Sequence, residues 1–356
     1  MKDSFAKNVA VALLGLLVAL VAIEAFFYAA PNFLPHNVRF VSTSVFDDEL
    51  RQTFKPNIDT VQRLDDGIQW RLKTTDLHIG GVGFRDNGAD LSDAYAVVVG
   101  DSHVYGHGVD LERVWTELLE ERAGASVVNM GQPSAFPETE ERMLETYGSR
   151  LKPKVVIFAL FQNDWVDAAS FEDERSGGFA TVKRTLDSYS STYRLARLVI
   201  NMQRYQAYKN FPRYTNGSVD TYFYPLHLGP AVDDGDPKIN MGEESAKNSM
   251  LRAAEFADSN GMKIVFVIFP SREQIYWDFA RQYAPDPGFD INVLNEKTME
   301  TCAENGLSCL DLTQAFVRNR DSQIFFTIDG HPNEAGHAIA SDEIYKHLSE
   351  NGLLPR

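Results

Sequence analysis

At 356 residues, 44% of them hydrophobic, the chain carries enough apolar material for one large domain or two small ones. Its 50 acidic residues against 34 Lys and Arg give a formal charge of −16. No run of clustered basic residues is present to release counterions, so broad nucleic-acid binding is excluded and the acidity reads as a solvated surface.

The first element differs in kind from the rest. Val9 to Ala30 runs VAVALLGLLVALVAIEAFFYAA, 22 residues with a single charge at Glu24. About 20 residues suffice to cross the hydrocarbon core as a helix. Lys2 and Lys7 precede the run, and Asp47, Asp48 and Glu49 follow it. The positive-inside rule therefore expects a cytoplasmic N-terminus and an extracytoplasmic, periplasmic main domain. Phe26, Phe27 and Tyr28 fall where an outer aromatic belt belongs. Small residues at Ala25, Ala29 and Ala30 also suit signal-peptide cleavage, but the run is longer than a signal core, which favours a retained single-pass anchor in the cell membrane. Glu24 has two readings: contact with a membrane-protein partner, or snorkelling to the outer headgroups, which suits its place near the outer end better.

After this anchor (residues 1–30), residues 31–90 read as a connector beginning at Pro31. Its hairpin would turn at Asp65-Asp66-Gly67, between Val61-Gln62-Arg63-Leu64 and Ile68-Gln69-Trp70-Arg71-Leu72. From 91 to 356 a different rhythm begins. Short apolar runs at 96–99, 127–130, 155–161, 264–269 and 307–310 suit strands buried on both faces. Helix-spaced segments at 114–123, 138–151, 243–260, 292–304 and 334–348 alternate with them. Such alternation predicts right-handed crossovers and an α/β fold, a parallel sheet between two helical layers. Residues from about 165 to 240 interrupt it, rich in Tyr, Asp and Arg with Pro225, Gly229, Pro230, Gly235 and Pro237, and read as an irregular insertion over the strand C-terminal edge, where open α/β sheets bind ligands.

Four motifs fall at the ends of these runs. Gly100-Asp101-Ser102-His103 closes the first strand, where a serine projects into the crevice; Val104 departs from the G-x-S-x-G elbow. Gly131, in Asn129-Met130-Gly131, offers a backbone N–H or is simply a loop glycine. Asn163, in Gln162-Asn163-Asp164, offers a side-chain amide or caps the following turn. Asp329-Gly330-His331 stands just ahead of the last helix, and a carboxylate beside a histidine can set the imidazole tautomer. Each alone has a bland explanation. In this order along one sheet they supply a nucleophile, a base with its orienter, and oxyanion donors, which is what acyl transfer needs.

With these blocks the chain resembles the SGNH, or GDSL-type, hydrolase family, especially its bacterial single-pass membrane members. The resemblance runs from about 83 to 348 and includes Gly83-Phe84-Arg85 and Gly106-His107-Gly108-Val109. It implies a flavodoxin-like three-layer α/β/α sandwich and a catalytic set of Ser102, His331 and Asp329. The oxyanion would rest on the N–H groups of Ser102 and Gly131 and on the Asn163 amide. It implies a serine esterase or O-acyl (acetyl) transferase acting on an envelope glycan or lipid, without a cofactor. Two departures stand out: Phe161 replaces a family glycine, which would displace its loop, and Asp329 and His331 are two apart rather than three, as in membrane-associated polysaccharide O-acetyltransferases. The rival reading is a catalytically idle scaffold subunit of a membrane complex.

Outside these blocks the signals are weak. His103 and His107 have ligand spacing, but Gly106 and Gly108 disfavour a regular helix there, and no metal is expected. Asp233, Asp234 and Asp236 lack a calcium-loop pattern. Cys302 and Cys309 flank a short helix–strand link, where a disulfide and buried free thiols both fit, with a modest preference for the disulfide.

Overall fold

The computed structural model describes residues 2–30, 33–34, 43–47, 49–63, 67–88, 94–176, 182, 185–186, 189–205, 210–229, 233, 235–286 and 289–355. Its centre is a parallel sheet of five strands: β1 (Ala96–Val99), β2 (Val127–Asn129), β3 (Val155–Phe161), β4 (Lys263–Phe269) and β5 (Ser308–Asp311). They lie in the order β5-β4-β3-β1-β2, the flavodoxin-like arrangement. The sheet is in register through Val98, Ile157 and Val265.

The apolar runs of β1 and β3 are unbroken because these strands bury both faces, while β5 at the sheet edge is half-buried. Val98, Ile157, Val265 and Val267 join one core with Trp115, Leu119, Ala340 and Ile344. Val97, Val99, Val156, Phe158 and Phe266 join the other with Leu144, Met250, Ala253 and Cys302. Each fully buried Val, Leu or Phe contributes about 1.5–3 kcal/mol relative to exposure. Helices Trp115–Ala123 and Glu334–Glu350 cover the first face, and Pro137–Thr146, Pro237–Ser259 and Val293–Asn305 the second. The molecule is the expected three-layer α/β/α sandwich. Cys302 and Cys309 are joined as a disulfide with Cα atoms 6.2 Å apart, tying Val293–Asn305 to β5.

In the connector, Asp59–Arg63 pairs antiparallel with Gln69–Lys73, Val61 opposite Arg71; Pro31, Asp65 and Asp66 lie outside the described residues. The 165–240 stretch is not irregular, as its composition suggests. It holds helices Asp164–Ser176 and Ser191–Tyr205 and an antiparallel hairpin of Arg213–Asn216 with Val219–Tyr222. The next helix starts at Pro237, ahead of the predicted 243, because the Asp236 side chain accepts from the Lys238 N–H and Pro237 suits the first turn. The described arginines and tyrosines of the 165–240 stretch lie partly on half-exposed helices and partly in and around the hairpin, where Tyr214 packs against the main core.

The N-terminal helix, Lys2–Ala29, includes a segment Lys7–Ala29 long and apolar enough to cross a membrane. Glu24 is engaged within its own chain. Its carboxylate accepts from Ser190 Oγ and from the Ser191 and Thr192 N–H groups.

Candidate active site

The site forms where β1 ends. Asp101 caps the short turn Ser102–Tyr105, its carboxylate accepting from the His103 N–H at 2.8 Å. Ser102 occupies the first position of that turn, where an N–H has no carbonyl partner within the helix. Arg85, buried in the connector, donates to the carbonyls of Tyr105, Gly106 and Val109, fixing the chain that leaves the turn.

From the other end of the domain, the loop ahead of Glu334–Glu350 brings His331 over the serine. Ser102 Oγ lies 2.7 Å from His331 Nε2, and His331 Nδ1 lies 2.5 Å from Asp329 Oδ1. The two-residue spacing does not weaken this relay: the His331 backbone N–H also donates to Asp329 Oδ1, at 2.9 Å, so carboxylate and imidazole share one tight turn. Burial opposes protonation of His331, but the Asp329 carboxylate outweighs it and holds the imidazole above its ordinary pKa. Burial likewise opposes the charge on Asp329, and the facing His331 overcomes it, keeping the carboxyl well below the usual range.

The oxyanion donors fare less evenly. Asn163 sits in the turn after β3, with Nδ2 donating to Asp167 Oδ2 at 2.8 Å and Oδ1 buried without a partner. An amide nitrogen carries two hydrogens, so one remains for a ligand. Gly131 differs from expectation. Its N–H donates to Asn129 Oδ1 at 2.9 Å, so it is already engaged within its own loop. A glycine is needed here for another reason: a Cβ would come 2.3 Å from the Tyr105 nitrogen, against the backbone of the nucleophile turn. Phe161 stays in β3, in register with Phe269, and its ring packs tilted against His103 with centroids 4.0 Å apart.

Several residues at the site carried no readable signal. Arg272, fully buried after β4, donates Nη1 to the carbonyls of Ile328 and Asp329 at 3.0 and 3.1 Å, holding the loop that presents Asp329 and His331. The Tyr224 ring lies over its guanidinium at 4.9 Å, and the Tyr222 N–H donates to Thr327 O, so the insertion hairpin braces the same loop. The sequence signal that could have pointed to this turn is the Ser271-x-x-Gln274 capping box beside Arg272. His107 stands behind Asp329, its Nε2 3.9 Å from Oδ2; burial, then the neighbouring His331, pushes its pKa down to about 4. His107, Asp329 and His331 offer ligand atoms within 4.8 Å of one another, but His331 uses both ring nitrogens on Asp329 and Ser102. His103 is buried, with Nδ1 3.1 Å from the Asp101 carboxylate.

A parallel α/β/α sheet with a serine at the end of β1, facing a histidine–aspartate pair from the last loop, defines the SGNH class of hydrolase folds. The sequence model of the GDSL-like lipase/acylhydrolase family matches residues 98–339, and the chain belongs to that family. Membership supports a hydrolase of esterase type. Among solved structures the chain is similar to a lipolytic protein of the G-D-S-L family from Desulfitobacterium hafniense, at 14% identity over 71% of this chain and 99% of that one, with a TM-score of 0.42. It is similar to TesA at 14% identity over 72% and 98%, TM-score 0.42. It is also similar to the psychrotrophic esterase EstA of a Pseudoalteromonas species, inhibited by monoethylphosphonate, at 10% identity over 72% and 97%, TM-score 0.40. No curated protein matches the chain.

Proposed function

We propose that the chain is a serine-dependent acyl ester hydrolase or O-acyl transferase, held in the cell membrane by its N-terminal helix and acting outside the cytoplasm on an acylated envelope glycan or lipid. The observation that carries the chemistry is the continuous relay from Ser102 Oγ through His331 to Asp329. Ser102 Oγ attacks the ester carbonyl carbon and its proton passes to His331 Nε2. The oxyanion is met by the Ser102 N–H and the free hydrogen of Asn163 Nδ2. Collapse of the tetrahedral species expels the alcohol, which takes the proton from His331 and leaves an acyl-serine. Water or a sugar hydroxyl then gives its proton to His331 and attacks the acyl carbon; the bond to Ser102 Oγ breaks, Oγ takes the proton back from His331, and the free acid or the new ester leaves. Whether hydrolysis or transfer follows depends only on which acceptor reaches that carbon.

The anchor reading draws support from the length of Lys7–Ala29 and from Glu24, whose bonds to the domain would be lost with a cleaved leader. A membrane-protein partner would have to engage the anchor elsewhere, since Glu24 is taken within the chain. Labelling of the purified full chain with a fluorophosphonate probe tests the proposal. Wild type should label and Ser102→Ala should not, with both folded. A folded wild type that resists the probe would overturn it in favour of the idle scaffold.

A further inference from the structure

Helix Ser191–Tyr205 has no part in the chemistry above, yet its N-terminus is capped by a residue far away in sequence. The Glu24 carboxylate takes Ser190 Oγ at 2.9 Å, the Ser191 N–H at 2.6 Å and the Thr192 N–H at 3.0 Å. At 1.5 Å of rise per residue, Glu24 stands roughly 7–8 Å below the Ala29 end of the apolar span. A carboxylate and the free N–H groups of a helix start are each costly at that depth, where water is scarce; here they satisfy one another. Ser191 is thereby tied to the outer edge of the hydrocarbon, within the roughly 5–10 Å to which an interfacial helix sinks its apolar face.

The rest of the helix fits that level. Ala196, Val199 and Ile200 recur at i, i+3 and i+4, and Val199 and Ile200 are 58% and 77% exposed, with no protein over them among the described residues. Tyr189, just upstream, is 75% exposed, and tyrosine is enriched at membrane interfaces. The 15 residues from Ser191 to Tyr205 include three arginines and no acidic residue, in a chain whose formal charge is −16. Arg194 is buried, with Nη2 donating to Ser191 Oγ, and Arg197 is exposed beside the stripe. Arginine beside an open apolar stripe is the pattern of a helix lying in the plane of an anionic bilayer surface.

We propose that Ser191–Tyr205 is an interfacial helix, docked on the outer leaflet of the membrane that the anchor crosses, with Ala196, Val199 and Ile200 in the lipid. The inference rests on the anchor reading. It gives the domain a second attachment, set at a fixed level by Glu24, so that the catalytic domain is oriented on the bilayer rather than tethered loosely above it.

The test uses the full chain in vesicles of mixed zwitterionic and anionic phospholipid. Cys302 and Cys309 are paired, so Ile200→Cys supplies a unique thiol for an environment-sensitive fluorophore. The label at 200 should be blue-shifted and quenched by lipids spin-labelled near the headgroup, while a label at Glu255→Cys, on the exposed domain surface, should not. Leu14→Cys, quenched by lipids spin-labelled deep in the chain, reports the anchor separately. Quenching at 14 without quenching at 200 would overturn the interfacial helix and leave the anchor standing; no quenching at 14 would remove the anchor reading itself. Glu24→Ala should reduce quenching at 200 but not at 14, and unchanged quenching at 200 would overturn the role given to Glu24.

Discussion

The relay at Ser102 makes firm demands on single residues. Serine attacks only when His331 is neutral, and the Asp329 carboxylate holds the imidazole pKa above its ordinary 6.5. The acid limb of kcat/KM should therefore lie above pH 6.5, activity falling as the pH drops through it. Asp329→Asn removes the attraction that outweighs burial, so the limb should move to lower pH; the lost tautomer control should also cut kcat by about 10⁴. A pH–rate profile of the two proteins checks both effects. At Asn163, replacement by alanine should lower kcat by about 10²–10³, the scale of one oxyanion donor, while fluorophosphonate labelling persists. Ser102 and Asn163 stood out as candidates because each follows an apolar run whose strand character was plain, and Asp329 and His331 because a carboxylate and an imidazole stand together just ahead of the last helix. Gly131 was read with the wrong role, since a glycine that offers its N–H and one that admits a neighbouring backbone look alike in a sequence.

At the scale of elements, the crossing of helices Asp164–Ser176 and Pro237–Ser259 depends on Gly242. A Cβ there would sit 2.0 Å from the Trp165 carbonyl oxygen, against backbone that has no rotamer to yield. Gly242→Ala should destabilise by about 1–3 kcal/mol, the usual scale of overpacking. Because Trp165 follows the Asn163 turn, it should also lower turnover; thermal melts and kcat on the same sample separate the two. The disulfide between Cys302 and Cys309 closes a short loop, and Cys302→Ser should cost about 2 kcal/mol on the chain-entropy account, measured by denaturant unfolding without reductant. Helix and strand bounds in the sandwich followed the sequence closely. The insertion did not, because its helices are only partly buried and their apolar residues mark no clean stripe against the core.

Across the whole molecule, the sandwich buries acids it does not neutralise. Glu140 and Asp164 are nearly inaccessible, and both Glu140 oxygens lack a partner among the described contacts. Burial, reinforced by each site's acidic neighbours, raises both pKa values well above the carboxylate range. Between the unfolded and folded pKa values the native state holds more protons than the unfolded one, so stability should fall as pH rises through that window. Glu140→Gln should raise the Tm at pH 8 more than at pH 5; scanning calorimetry at both values decides it.

The sequence by itself determined the layer order, the strand ends and the residue types offered there, because burial on both faces of a parallel sheet leaves a continuous apolar signature and only strand C-termini open onto the crevice. It also marked Val9 to Ala30 as long and apolar enough to cross a membrane, since crossing hydrocarbon demands an uninterrupted apolar run. Tertiary structure alone decided that Gly131 admits the backbone at Tyr105, that Arg272 and the hairpin brace the Asp329 loop, and that Glu24 turns to Ser191. Each of these is a polar or steric match between segments remote in the chain. Such a match leaves no periodicity in either segment, because it depends on where the fold brings them together.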